Sequence, residues 1–250
     1  MERVKEPMFR YGDPEFDREY LRLGYHERVT RIQEADSVLR VVGGMGKSLS
    51  ILDLGCGTGA HAIHWSCLGH RVTGVDLSQT FIDECRRRCG SVGVSFEVGD
   101  IRSLPYQDAY DVVTWIEPTF FDEHILRAIC GYLKPGGTFI FDIRNPEHPQ
   151  MKRITSNWRS WKDDGQIFHL EKHETDIKTG LRHSEWIEID ILTGTVTEKL
   201  NTFRPVKLED RLKLLRENGF PSFELRTMSG EVFRGGSDDY WLWVVGKREV

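Results

Sequence analysis

Apolar runs and amphipathic segments alternate through the middle of the chain. Short runs rich in β-branched and aromatic residues predict strands at residues 49–54, 71–75, 94–98, 110–116 and 138–142. Segments compatible with helix lie between them, at residues 60–68, 78–89 and about 122–133. This repeated strand–helix order predicts an α/β fold built on a parallel sheet.

The pattern changes on both sides of this core. Residues 9–42 have helical spacing, broken near Gly24. Residues 150–204 contain alternating apolar and polar positions separated by turn signals such as Thr193-Gly194, which predicts an inserted antiparallel sheet. Its predicted strands are residues 167–172, 186–191 and 195–203.

The last part of the chain returns to the main sheet. An amphipathic helix is predicted over residues 208–218, and residues 223–227 and 240–246 predict an antiparallel edge. We therefore expect one domain over residues 1–250. Its predicted parts are an N-terminal helical segment (1–48), a core (49–149), the inserted sheet (150–204) and a C-terminal completion of the core (205–250).

Composition narrows the classes of partner. The chain has 34 Lys and Arg against 39 Asp and Glu, a net charge of -5, so it lacks the basic footprint of a nucleic-acid-binding protein. Its five cysteines form no C-x-x-C pair, which predicts free thiols and no metal site. No long apolar window predicts a membrane segment, and we expect a cytoplasmic protein, either monomer or homodimer.

A glycine-rich turn follows the first core strand. The stretch Asp53-Leu54-Gly55-Cys56-Gly57-Thr58-Gly59 places free backbone N–H groups and a helix N-terminus beside a ligand, and glycine lets a nucleoside approach closely. Asp76 ends the next strand and can accept ribose hydroxyls. Gly55-x-Gly57-x-x-Ala60 with Asp76 also fits a dinucleotide fingerprint, so the loop alone leaves an NAD-dependent oxidoreductase open.

The wider set of motifs resembles the class I S-adenosylmethionine (SAM) dependent methyltransferases. The resemblance rests on the glycine turn, Asp76-Leu77, Gly99-Asp100-Ile101 and the turn Leu133-Lys134-Pro135-Gly136-Gly137, in that order. It implies a Rossmann-like, seven-stranded sheet with helices on both faces, and SAM as cofactor with S-adenosylhomocysteine as product. The predicted insertion resembles that of sugar N-methyltransferases, in which an extra sheet covers the substrate pocket.

The resemblance also implies which residues touch the cofactor. The N-terminal segment, which includes Phe16, would act as a lid over it. The implied cofactor-binding residues are Tyr11, Tyr20, Arg22, Asp53, Gly55, Cys56, Gly57, Gly59, Asp76, Leu77, Asp100, Ile101 and Trp115.

One candidate catalytic residue follows the fourth core strand. Glu117-Pro118-Thr119-Phe120 loosely resembles the acidic or amide motif of amino-group methyltransferases, which implies that Glu117 orients the acceptor. The predicted reaction is methyl transfer to a nitrogen, or an oxygen, of a small molecule. Two alternatives stay open: an NAD-dependent oxidoreductase, although no Tyr-x-x-x-Lys pair occurs, and a non-catalytic SAM-binding or partner-binding relative.

Overall fold

The computed structural model describes residues 3–7, 12–14, 17–18, 21, 30–90, 93–118, 122–145, 148, 157–163, 167–175, 181–203, 208–236 and 239–249. The chain forms two compact units. One contains residues 1–10 and 149–207, and the other contains residues 11–148 and 208–250.

The elements are numbered in chain order. The strands are β1 (Arg3–Pro7), β2 (Ser50–Leu54), β3 (Arg71–Asp76), β4 (Val94–Val98), β5 (Tyr110–Trp115), β6 (Leu133–Arg144), β7 (Asn157–Asp163), β8 (Ile167–Thr175), β9 (Arg182–Asp190), β10 (Val196–Phe203), β11 (Ser222–Thr227) and β12 (Trp241–Lys247). The helices are α1 (Thr30–Val41), α2 (Ala60–Cys67), α3 (Gln79–Cys89), α4 (Glu123–Tyr132) and α5 (Leu208–Glu217).

The larger unit is built on a seven-stranded sheet among the described residues. The strand order is β11-β12-β6-β5-β2-β3-β4, and β12 is antiparallel to both of its neighbours. The remaining pairings are parallel, as the predicted α/β fold requires. Strand β2 lies between β3 and β5, so the order reverses there. In open α/β sheets such a reversal opens a crevice at the carboxyl ends of the strands, where ligands bind.

The central strands of the sheet are buried on both faces, which explains why their sequences are largely apolar. Successive residues of β2 point to opposite sides: Ile51 belongs to one apolar cluster, and Leu52 belongs to the other. Buried residues of α1, α2 and α3 share the cluster of Ile51, whereas those of α4 and α5 share the cluster of Leu52. The helices therefore cover the two faces in two groups.

Strand β6 starts earlier than the sequence predicts. It begins at Leu133, inside the expected turn, and its register with β5 shifts between Tyr110 and Val112. Gly136 has a φ of 75°, a left-handed conformation that glycine adopts readily. The expected turn is therefore an irregular part of strand β6 itself.

The smaller unit is a five-stranded sheet in the order β1-β10-β9-β8-β7. Its antiparallel pairs confirm an inserted antiparallel sheet, but two strands differ from expectation. Residues 3–7, expected within a helical segment, form β1, which pairs in parallel with β10. Strand β7 was not predicted, because its apolar residues Trp158 and Trp161 are three apart and do not alternate.

The sequence of β1 explains why it escaped the pattern analysis. Arg3-Val4-Lys5-Glu6-Pro7 has one aliphatic side chain before the proline and no apolar face. Charged residues and proline are typical of edge strands. Such a strand is held in the sheet by backbone hydrogen bonds with its neighbour. A strand fixed by backbone pairing gives no hydrophobic signal in the sequence.

Candidate active site

The glycine turn between β2 and α2 has three left-handed positions. Gly55, Gly57 and Gly59 have φ angles of 61°, 54° and 77°. A Cβ on Gly59 would lie 2.7 Å from Cζ of Phe96, so packing demands glycine there. A Cβ on Gly57 would meet nothing within 4 Å. The turn is therefore packed at Gly59 and borders open space at Gly57.

Asp76 links the glycine turn to the end of β3. Its Oδ2 accepts a hydrogen bond from the backbone N–H of Gly57 at 2.9 Å, and its Oδ1 accepts from that of Ser78 at 2.9 Å. Burial raises the pKa of this carboxyl to about 6. Each oxygen keeps acceptor capacity beyond these bonds, so Asp76 can still accept from a hydroxyl of a ligand.

Asp53 places a buried oxygen beside the same turn. The residue is 2% exposed, and its Oδ1 accepts from the hydroxyl of Thr114 at 2.8 Å. Its Oδ2 is buried and receives no hydrogen bond from any described residue. Burial raises the pKa of Asp53. An unsatisfied buried carboxylate oxygen is costly, and an ammonium group of a ligand would satisfy it.

Two residues of the N-terminal segment contact Leu77 and Ser78. A Cβ on Gly12 would be 3.4 Å from Cδ2 of Leu77, and Gly12 donates its N–H to the carboxylate of Asp17 at 3.2 and 3.4 Å. Asp17 is 1% exposed and also hydrogen-bonds with the side chain of Ser78. This part of the N-terminal segment thus contacts the residues after β3. Tyr11, Phe16, Tyr20 and Arg22 lie outside the described residues.

Asp100 and Ile101 already have partners within the chain. The guanidinium of Arg102 donates to both oxygens of Asp100, with Nε at 2.9 and 3.0 Å, and holds the pKa of that carboxyl below its usual value. The carbonyl of Ile101 accepts from the hydroxyl of Tyr132 at 3.0 Å. A ligand amine at Asp100 would share the carboxylate with Arg102.

Cys56 and Trp115 are buried beside the turn. The N–H of Cys56 donates to the carbonyl of Val75 at 3.0 Å, which ties the turn to β3. A hydrogen bond with Cys85, then burial, raises the pKa of the Cys56 thiol well above its usual value. Nε1 of Trp115 would be 3.4 Å from a Cβ on Gly55. Both residues therefore help to hold the turn in place.

Glu117 follows β5 in a left-handed conformation, with a φ of 57°. Its N–H donates to Oδ1 of Asp142 at 2.5 Å, and its Oε1 lies 3.3 Å from Nη2 of Arg31. The side chain is 44% exposed, so it is accessible from solvent. The structure joins the ends of β5 and β6 to helix α1 through this residue.

The network of charged side chains around Arg31 extends along α1 and reaches α2. Nη1 of Arg31 lies 3.1 Å from Oε2 of Glu34, and Nε2 of His61 lies 3.2 Å from the same oxygen. Burial would raise the pKa of Glu34, but the hydrogen bond with His61 and the charge of Arg31 outweigh it and lower that pKa. Sequence analysis missed Arg31, Glu34 and Asp142. Of these, Asp142 carried a signal, because it ends a predicted strand as Asp76 does.

A small pocket opens beside this network. Its described lining residues combine three carboxylates with apolar and indole side chains, and none of them is Lys or Arg. The lining residues are Glu34, Ile116, Glu117, Asp142, Met228, Trp241 and Trp243. Asp142 and Trp243 are cross-strand neighbours of β6 and β12. In the described part of the chain, His, Cys, Asp and Glu form no group of three or more that could bind a metal ion. None of the described helices is long and apolar enough to cross a bilayer.

Comparisons with known proteins find similarity to methyltransferases. Residues 51–137 match a family model described as a methyltransferase domain. The cypemycin N-terminal methyltransferase of a Streptomyces species is 38% identical over 104 residues, which are 39% of this chain and 42% of that protein. The match spans less than half the length of the curated relatives.

Two solved structures share the fold over nearly the whole chain. The CcbJ methyltransferase from Streptomyces caelestis has a TM-score of 0.70 and 20% identity, covering 89% of this chain and 91% of its own. SAM-bound CalS10, an amino pentose methyltransferase from Micromonospora echinaspora, has a TM-score of 0.66 and 17% identity. The match covers 97% of this chain and 99% of CalS10. At these identities the likeness shows the fold.

Proposed function

We propose that the chain is a SAM-dependent methyltransferase that methylates a nitrogen of a small-molecule acceptor, and the match of residues 51–137 to a methyltransferase domain supports this. The observation that carries the choice of acceptor is the lining of the pocket. Carboxylates of Glu34, Glu117 and Asp142 line it, and none of its described lining residues is Lys or Arg, which favours an amine.

The residues around the glycine turn fit the cofactor. The buried Oδ2 of Asp53, which has no donor among the described residues, would accept from the ammonium of SAM. Asp76 would accept from its ribose hydroxyls, and Leu77 and Asp100 would contact its adenine. When bound, SAM supplies a methyl group on a sulfonium that a nucleophile can attack.

Glu117 would orient the acceptor. Its carboxylate can accept a hydrogen bond from an amine, and the ion pair with Arg31 fixes its direction. Methyl transfer depends mainly on alignment of the nucleophile and exclusion of water, so a single positioning group has a large effect. The names of two similar proteins, which refer to an N-terminus and to an amino pentose, support a nitrogen acceptor.

The test compares wild type with Glu117→Gln over a panel of small amines, hydroxylated aromatics and nucleotide sugars. Release of S-adenosylhomocysteine reports turnover, and calorimetry reports SAM binding. We expect amines to be the substrates, with SAM affinity unchanged in the variant and kcat/KM reduced about tenfold to a hundredfold. Turnover confined to hydroxyl acceptors would overturn the nitrogen assignment, and full activity of the variant would remove Glu117 from the reaction.

A further inference from the structure

Asp142 is a buried carboxyl that lines the pocket and has no assigned role so far. It lies near the carboxyl end of β6 and is 5% exposed. Its Oδ1 accepts the N–H of Glu117. Among the described residues, no side chain donates a hydrogen bond to Asp142. A carboxyl held this way is fixed by backbone groups and keeps acceptor capacity for a ligand in the pocket.

Several charged groups face Asp142 from the surrounding elements. Burial, followed by the negative charges of Glu117 and Glu34, raises its pKa to about 7, although the N–H of Glu117 opposes the shift. Arg211 of α5 also interacts with it electrostatically. Arg31 of α1 and His61 of α2 approach the same region, but they pair with Glu34, and Arg31 also pairs with Glu117.

We propose that Asp142 is the base that takes the proton from the ammonium group of the acceptor, an inference that rests on the proposed methylation of a nitrogen. The N–H bond of the ammonium breaks and the proton moves to a carboxylate oxygen of Asp142. The bonding electron pair stays on nitrogen and becomes the lone pair that the transfer requires. The proton on Asp142 then returns to solvent when the product leaves.

The neighbouring groups fit this role less well. Glu117 and Glu34 are ion-paired with Arg31, so their carboxylates are already engaged by a guanidinium. His61 does not line the pocket, and its Nε2 is engaged by Glu34. A base acts best when its pKa is near the working pH. Asp142 alone in this group combines a place on the pocket wall with freedom from side-chain hydrogen bonds in the described residues.

The decisive experiment measures kcat/KM against pH for a strongly basic aliphatic amine. In wild type, kcat/KM should rise with pH and level off near pH 7, because Asp142 must be ionised to accept the proton. Asp142→Asn keeps the oxygen that accepts from Glu117 but cannot act as the base. We expect its kcat/KM to fall at least about a hundredfold at pH 7. It should then rise about tenfold per pH unit without levelling off, because only the neutral amine present in solution would react.

A weakly basic aromatic amine separates proton removal from pocket structure. It is already neutral at pH 7, so Asp142→Asn should change its kcat/KM by no more than about threefold, whereas a damaged pocket would reduce both substrates equally. Asp83→Asn, at an exposed carboxylate of α3, is the matched control and should behave as wild type.

The outcomes distinguish this inference from the proposed function. Should wild type methylate no amine, the proposed function fails first. Should wild type methylate amines while its profile keeps rising to pH 9, or Asp142→Asn retain the wild-type profile, the role of Asp142 alone is refuted. The wild-type profile gives this answer even when the variant does not fold.

Discussion

Oδ2 of Asp76 accepts a hydrogen bond from the backbone N–H of Gly57 at 2.9 Å, so the last residue of β3 clamps the turn that follows β2. Asp76→Ala removes this acceptor and the one expected for the ribose hydroxyls. SAM binding should weaken by about 1 to 3 kcal/mol, the cost of leaving such groups unpaired. Calorimetry with SAM checks this, with Asp76→Asn as the milder comparison. Equal affinities in wild type and Asp76→Ala would exclude Asp76 from the site.

Gly57 and Gly59 predict a contrasting pair of variants. Gly57→Ala meets no neighbour, so it should cost only the left-handed backbone penalty of about 1 to 2 kcal/mol, yet its methyl group occupies the space beside the turn and should reduce SAM binding. Gly59→Ala also clashes with Phe96 and should cost about 2 to 5 kcal/mol of stability. Urea unfolding and SAM titration of both variants measure the two effects. Normal SAM affinity in Gly57→Ala would show that the open space is not the cofactor site.

The contact of Gly12 and Asp17 with Leu77 and Ser78 predicts that SAM stabilises the N-terminal segment. Amide exchange across residues 9–25 should slow when SAM is added, because the segment would close over the bound cofactor. Asp17→Asn weakens the acceptor for Gly12 and should reduce that protection. Exchange that is indifferent to SAM would leave the segment as ordinary packing.

The raised pKa of Asp142 predicts how stability depends on pH. An ordinary Asp has a pKa of 3.8, and that of Asp142 is about 7, so between these values the folded protein binds more protons than the unfolded chain. The contribution of Asp142 to stability is therefore complete at low pH and is lost as pH rises through 7. Asp142→Asn removes this loss. Its stability relative to wild type should increase by about 2 to 4 kcal/mol between pH 4 and pH 8.

Urea unfolding at pH 4, 6 and 8 checks the expected trend. The exposed Asp83→Asn variant serves as the control for loss of a carboxylate elsewhere. A constant difference between Asp142→Asn and wild type would mean that Asp142 titrates alike in the folded and unfolded chains.

The centre of the main sheet was predictable because its strands are buried on both faces. Every residue of β2 is buried, and its apolar residues Ile51, Leu52 and Leu54 lead directly into the glycine turn. The positions of Asp76 and Glu117 followed from the rule that functional side chains collect at the carboxyl ends of parallel strands. Local sequence patterns were therefore sufficient to predict where these two residues lie in the fold.

Other parts of the site depend on contacts that no local pattern records. Arg31 and Glu117 are 86 positions apart in the sequence and meet only because α1 lies near the end of β5. Arg31 and Glu34, three apart on a helix, look the same in sequence as a solvated ion pair. Asp100 was predicted from a motif, but the motif contained no sign that Arg102 would occupy its carboxylate.

The parallel pairing of β1 with β10 has a consequence for synthesis on the ribosome. Arg3 is registered with Val196, so the partner of β1 is made about 190 residues later. At bacterial or eukaryotic elongation rates this takes roughly 10 to 40 s. During that interval β1 has no neighbour in its own sheet, and the charges of Arg3, Lys5 and Glu6 discourage pairing with other nascent chains. The charged residues that make β1 difficult to predict from the sequence would thus also limit its pairing with other chains before β10 is synthesised.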